Sequence, residues 1–106
     1  MSSATELSSV NITRFKNDWY VKIPKLNKKA LFIVVSDHCG YCTQLKSALN
    51  NASIPYYYLN GDKNFNVVSQ MGIAGYPTIY IVGIDGKLKE HTGSRNPRNL
   101  LMALNS

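Results

Sequence analysis

The stretch Asp37-His38-Cys39-Gly40-Tyr41-Cys42 holds the only two cysteines of the chain. Thiols separated by two residues can close a small disulfide ring within one turn of helix. The apolar run Ala30-Leu31-Phe32-Ile33-Val34-Val35 before them reads as a buried strand, and Thr43 to Asn51 after them reads as a helix. Cys39 is therefore expected to sit exposed where a strand gives way to a helix. Unpaired N–H groups and the positive end of the helix dipole stabilise a thiolate at such a place. A thiolate of lowered pKa with a second thiol in reach is the apparatus for thiol–disulfide exchange.

The competing chemistry is metal binding. Apart from the cysteine pair the chain offers only His38 and the distant His91 as soft ligands, and adjacent His38 and Cys39 share one ion poorly. No metal site is expected within one chain; an iron–sulfur cluster shared across a dimer is the remaining metal option. His38, as a cation beside Cys39, would lower the thiol pKa and make the pair more oxidising, whereas a merely exposed histidine would do little. Tyr41 reads as a cover for the dithiol that also touches substrate, and Asp37 as a solvated turn residue.

The elements that must position this pair fit one domain spanning residues 1–106, large enough for a core without disulfide staples. The net charge of +6 is spread along the N-terminal third, in Arg14, Lys16, Lys22, Lys25, Lys28 and Lys29, with no dense basic stripe. A nucleic-acid footprint is therefore not expected. No stretch approaches the roughly 18 apolar residues of a membrane span. The first residues lack a basic start and an apolar run, so no signal peptide is expected and the reading is cytoplasmic. In a reducing compartment a lone Cys-x-x-Cys pair is more often catalytic or metal-binding than structural.

Residues 1–9 are polar and are expected to fray. Val10, Ile12 and Phe15 suggest an edge strand leading into a brief helix near Trp19 and Tyr20, before Pro24 and a basic turn. Leu45, Ala48, Leu49 and Ala52 fall on one helical face. Tyr56-Tyr57-Tyr58-Leu59 is a short aromatic strand, and Phe65, Val68 and Met71 mark a short helix stopped by Gly72. Ile79 to Val82 and Lys87 to Thr92 flank the hairpin signal Asp85-Gly86. Asn96-Pro97 starts a closing helix whose buried face is Leu100, Leu101 and Leu104. The order predicts an α/β fold: a central mixed sheet of four to five strands with helices on both faces.

This order, with Cys39-Gly40-Tyr41-Cys42 after an apolar strand, Gly72-Ile73-Ala74-Gly75-Tyr76-Pro77-Thr78 before the hairpin, and Gly86 and Gly93 flanking the hairpin strand, resembles thioredoxin from about residue 10 to residue 104. The resemblance implies the thioredoxin fold and a cis Tyr76–Pro77 bond lying against the dithiol. It also implies that Gly75, Tyr76 and Pro77 offer backbone and shape to an extended substrate, and that Gly93 leaves room for it. Gly40 and His38 fall at positions that tune such pairs. The departures are His38 for a tryptophan, Tyr41 for a proline, Ile33 for a buried aspartate and Tyr58 for the lysine that faces it. That aspartate is held to accept the proton of the second thiol, so water or another side chain must do so here.

What the resemblance implies is a protein dithiol–disulfide oxidoreductase in which Cys39 attacks and Cys42 resolves, with no cofactor beyond its own redox-active disulfide. Protein disulfides would be its substrates and a reductase or glutathione its electron donor, with the chain a monomer. Glutaredoxin-like or disulfide-isomerase-like exchange is the alternative, since Cys-Gly-Tyr-Cys also occurs among bacterial disulfide isomerases. A redox-inactive binding module is a further one, against which both intact cysteines and the matching proline speak.

Overall fold

A computed structural model describes residues 3–106. Its centre is the apolar strand before the cysteines, here β4 (Ala30–Val35), preceded by β1 (Ala4–Leu7), β2 (Ile12–Phe15) and β3 (Asp18–Val21). There follow α1 (Gly40–Asn51), β5 (Tyr56–Asn60), α2 (Phe65–Gln70), β6 (Thr78–Val82), β7 (Leu88–Glu90) and α3 (Pro97–Leu104). Five strands form one mixed sheet in the order β1-β5-β4-β6-β7. β5 runs parallel to both β1 and β4, while β6 is antiparallel to β4 and to β7.

The unbroken apolar run of β4 follows from burial on both faces. Successive side chains of a strand point to opposite sides. Phe32 and Val34 therefore join one core with Leu59, Val67, Val68, Tyr80 and Val82. Leu31, Ile33 and Val35 join the other with Cys42, Leu45, Leu49 and Leu100. So α1 and α3 cover one face, and α2 covers the other together with Ile12 and Val21 of the β2–β3 hairpin. Each fully buried Leu, Ile or Val contributes about 1.5–3 kcal/mol of hydrophobic stabilisation. No helix among the described residues is long and apolar enough to cross a membrane.

The N-terminal region departs from the sequence reading. Of the residues expected to fray, Ala4 to Leu7 form β1, paired in register with Tyr56 to Leu59; Met1 and Ser2 lie outside the described residues. The polar pattern hid the strand because Thr5 and Glu6 are exposed and only Leu7 is buried. What orders it is the open edge of β5, whose backbone groups need partners. Trp19 and Tyr20 are likewise in a strand, not a brief helix: β3 pairs with β2 across a turn that places Lys16 at φ +57°. The turn carries no glycine to announce a left-handed residue, so the hairpin was not legible. It is tied to the main sheet by Val21 N–H donating to Gly86 O at 2.9 Å. At Gly86 the φ is +89° and a Cβ would stand 2.7 Å from Val21 O, so glycine is required.

Two helix faces also differ from expectation. In α2 the buried residues are Val67 and Val68, while Phe65 is 68% exposed. In α3 Leu100 is fully buried and Leu104 packs at the edge of the core, but Leu101 is 42% exposed. In helices this short the angle at which each packs on the sheet selects which apolar residues are covered, and the spacing alone does not give that angle.

Candidate functional site

Strand order gathers the site at one end of the sheet. Val35 ends β4, and the chain turns through Ser36, Asp37 and His38 to Cys39, which caps α1. Val34 is paired with Thr78, so Pro77 lies one residue outside the sheet at this same end. Tyr80 is paired with Glu90 on antiparallel β7, and His91 N–H donates to Ile79 O at 2.8 Å. The chain beyond β7 therefore leaves the sheet beside Pro77, which brings Gly93 to the same edge. Cys39, Pro77 and Gly93 thus lie toward the same end of the sheet although 38 and 54 positions separate the first from the others.

Cys39 has an extended backbone at the helix N-cap, and its Sγ accepts a hydrogen bond from Cys42 N–H at 3.1 Å. The sulfur thereby takes the place usually held by a serine or aspartate oxygen, satisfying one of the orphan donors of the first turn. Cys39 and Cys42 are joined by a disulfide with their Cα atoms 5.2 Å apart. When the pair is reduced, the same N–H and the helix dipole favour the thiolate at Cys39. Cys42 is only 2% exposed and is set in the core between Leu45 and Leu49, whereas Cys39 is half-buried. The two cysteines therefore differ in burial: Cys39 is partly exposed and Cys42 is shielded.

A polar network fixes the turn that carries Cys39. The Asp62 carboxylate accepts from Asp37 N–H at 2.8 Å and from the Ser36 hydroxyl at 3.0 Å. Those two bonds, with a smaller contribution from the charge of nearby His38, hold the Asp62 carboxyl below its ordinary range. Asn60 is buried and spans the network: its Nδ2 donates to Asp37 Oδ1 at 2.7 Å, and its Oδ1 accepts from Asp62 N–H at 2.9 Å. Asp37 is thus part of a braced turn and not merely solvated. His38 projects into solvent between this network and Cys39.

The remaining predicted residues sort by what surrounds them. Gly40 opens α1 without a positive φ, and a methyl group in place of its hydrogen would meet nothing within 4 Å, so no steric demand accounts for glycine there. The Tyr76–Pro77 bond is cis, and Thr78 Oγ1 donates to Gly75 O at 2.7 Å to close the turn around it. Gly75, Tyr76 and Pro77 line an open groove of about 430 Å³ that continues to Tyr80 and Glu90. The Tyr76 ring is turned toward the turn after β5. It lies across Gly61, where a Cβ would stand 2.5 Å from its hydroxyl oxygen and 2.7–2.8 Å from its ring carbons. Gly93 is exposed, and a Cβ there would meet only the His91 ring at 3.3 Å.

Ile33 is fully enclosed, and its register partner on β5 is Tyr58. The two positions that depart from the family pattern are therefore direct neighbours on one face. Tyr58 turns its hydroxyl to Glu6 Oε1 at 3.4 Å, and the Lys46 ammonium stands 4.3 Å from its ring centroid. Burial first, and the Glu6 charge second, raise the Tyr58 phenol above its usual range.

Four residues at the site escaped the sequence reading: Asn60, Gly61, Asp62 and Arg95. The Asn-Gly-Asp triplet reads as an ordinary turn, and only the parallel pairing of β4 with β5 places it under the cysteine turn. Arg95 lies in the loop between β7 and α3, its guanidinium 5.3 Å from the centroid of the Tyr41 ring. Nothing in local sequence links residues that far apart.

Among curated proteins, none matches the sequence. The thioredoxin family model matches residues 10–106. Among solved structures, spinach chloroplast thioredoxin f superposes with a TM-score of 0.66 at 18% identity, over 98% of this chain and 92% of its own. Schistosoma mansoni thioredoxin gives 0.67 at 16% identity, over 98% and 97%. The zinc-bound form of human ERp44 gives 0.70 at 18% identity over 96% of this chain, which spans only 30% of the ERp44 chain. A mixed sheet clad by helices, a Cys-x-x-Cys pair capping the helix after its central strand, and a family match over nearly the whole length lead to one assignment. The chain belongs to the thioredoxin family.

Proposed function

We propose that the protein is a dithiol–disulfide oxidoreductase acting on protein disulfides through Cys39 and Cys42. The observation that carries this reading is the asymmetry of the pair: a partly exposed cysteine at the helix N-cap and a buried one three residues on. The Cys39 thiolate attacks one sulfur of a substrate disulfide. That S–S bond breaks, a substrate thiolate leaves, and a mixed disulfide forms at Cys39. The Cys42 thiolate then attacks Cys39 Sγ, releasing the second substrate thiol and leaving the Cys39–Cys42 disulfide. Two electrons pass to the substrate, and a reductase or glutathione restores the dithiol.

Gly75, Tyr76 and Pro77, which line the open groove, would form the wall against which the substrate segment lies. Ile33 provides no carboxylate, so the Cys42 proton passes to water or to the substrate thiolate released in the first step. The test is a trapping experiment with a disulfide-bonded peptide. Cys42→Ser accumulates the mixed disulfide on a non-reducing gel and Cys39→Ser does not; the reverse result exchanges the roles, and trapping by neither sinks the reading. Equilibration against glutathione assigns the direction. A potential near about −270 mV marks a reductant, and one near about −120 mV marks a donor of disulfides.

A further inference from the structure

Around the dithiol the charge is divided by the order of the strands. β5 lies on one side of β4, and Asp62 follows it; β7 lies on the other side, beyond β6, and Arg95 follows it. One flank of the cysteine pair therefore carries the Asp37–Asp62 carboxylates, and the opposite flank carries a guanidinium.

Arg95 is exposed, and its guanidinium stands over the Tyr41 ring at 5.3 Å. Tyr41 is the second of the two residues between the cysteines, 63% exposed on the first turn of α1. A cation–π contact of this kind consumes no hydrogen-bond acceptor, so it does not occupy the guanidinium's N–H donors as a carboxylate would. Among the described residues the ion pairs are Lys63–Glu6 at 3.8 Å and Lys87–Asp18 at 3.5 Å. Arg95 belongs to neither and has no hydrogen-bond acceptor among the described residues. Beside it lies a hollow of about 190 Å³ lined by Tyr41, Gln44, Leu45, Ala48 and Arg95. That lining contains no carboxylate, while Gln44 adds an amide donor.

We infer that Arg95, held in place by Tyr41, is a specificity-determining residue that binds a carboxylate of the protein substrate next to its disulfide. The preferred substrates are thus disulfides flanked by aspartate or glutamate on the Arg95 side of the dithiol. The fork of N–H donors matches a carboxylate in bidentate geometry, and such charge-assisted bonds are stronger and more directional than a point charge provides. The inference deepens the oxidoreductase reading and rests on it.

The test uses disulfide peptides identical except for flanking residues: two glutamates, two serines or two lysines. The quantity measured is the ratio of kcat/KM values between peptides. For the wild-type protein the acidic-to-neutral ratio is expected at about five, the upper end for an exposed ion pair, and it shrinks with added salt. Arg95→Ala brings the ratio to about one. Arg95→Glu turns the preference toward the lysine peptide, a gain that misfolding cannot imitate. Arg95→Lys keeps part of the preference, having the charge without the fork.

A wild-type ratio of one overturns the inference, as does a preference that survives Arg95→Ala. Glutathione disulfide carries carboxylates too, so it is run alongside; a loss on Arg95→Ala confined to it overturns a protein substrate for this subsite. Turnover of the neutral peptide by the wild-type protein reports on the oxidoreductase reading separately. Its absence sinks that reading, whereas turnover without charge preference sinks only the role of Arg95.

Discussion

Cys39 and Tyr76 each depend on a neighbour too small or too plain to attract notice in the sequence. Cys39 depends on the backbone N–H of Cys42, which serves its sulfur as a capping donor. Tyr76 depends on Gly61, whose bare Cα seats the phenol ring and so fixes the residue that precedes the cis peptide. Gly61→Ala places a methyl group inside the space of that ring, and the ring must swing away. The expected result is a loss of about 1–3 kcal/mol in stability, as for other overpacked sites. It is accompanied by a fall in kcat/KM toward protein disulfides as the groove wall shifts. Urea unfolding and peptide turnover measure the two effects. A variant as stable and active as the wild type would show that Tyr76 is not held by this contact.

At the scale of the element, the decisive piece is the turn from β4 into α1. It contains no glycine or proline between Ser36 and Cys39, so its shape comes from side chains of another turn. Asp62, after β5, receives the Asp37 N–H and the Ser36 hydroxyl, and Asn60 ties Asp37 from below. The Asp62 carboxyl is held below the ordinary value of 3.8, so ionisation is more favourable in the folded state than in the unfolded chain. Its contribution to stability is therefore complete above that ordinary value. It is lost as pH falls from there through the lower folded value. Asp62→Asn is expected to be less stable than the wild type near neutral pH, with the gap narrowing as the solution is acidified below 3.8. Denaturation midpoints at pH 7 and pH 3 check this; a gap independent of pH would locate the effect in lost hydrogen bonds and not in charge.

For the molecule as a whole, Ile33 is the residue that ties the site to the core. It lies fully enclosed beneath α1 in the same cluster as Cys42, Leu45 and Leu49, opposite Tyr58. Ile33→Asp places at that position the acid of the wider family, but without its lysine partner. An unpaired carboxylate there is forced toward its neutral form, and its folded pKa rises above the unfolded one. The penalty is then smallest in acid and grows as pH rises through the unfolded value. A loss of roughly 3–5 kcal/mol near neutral pH is expected, the range for an uncompensated buried charge. Thermal unfolding across the pH range measures it. A fully stable Ile33→Asp protein would show that Tyr58, Lys46 or water can already accommodate the charge.

The sequence alone determined the close-set cysteine pair, the central strand and the order of most elements, because each rests on neighbouring residues. Two thiols one helical turn apart, an apolar run bounded by turn residues, and Asp85-Gly86 between two strands are local signals. It did not disclose β1, whose exposed Thr5 and Glu6 look like a frayed end until the edge of β5 receives them. Nor did it disclose the β2–β3 hairpin, which turns on Lys16 in a left-handed conformation. The exposed Phe65 and Leu101 show that helical spacing sets which residues share a face but not how that face is tilted onto the sheet. Above all, the surroundings of the cysteines came from strand order. Asp62 stands on one side of the pair and Arg95 on the other because β5 and β7 flank β4 and β6 in space. That adjacency is created by long-range backbone pairing, for which no pattern in the flanking residues is a substitute.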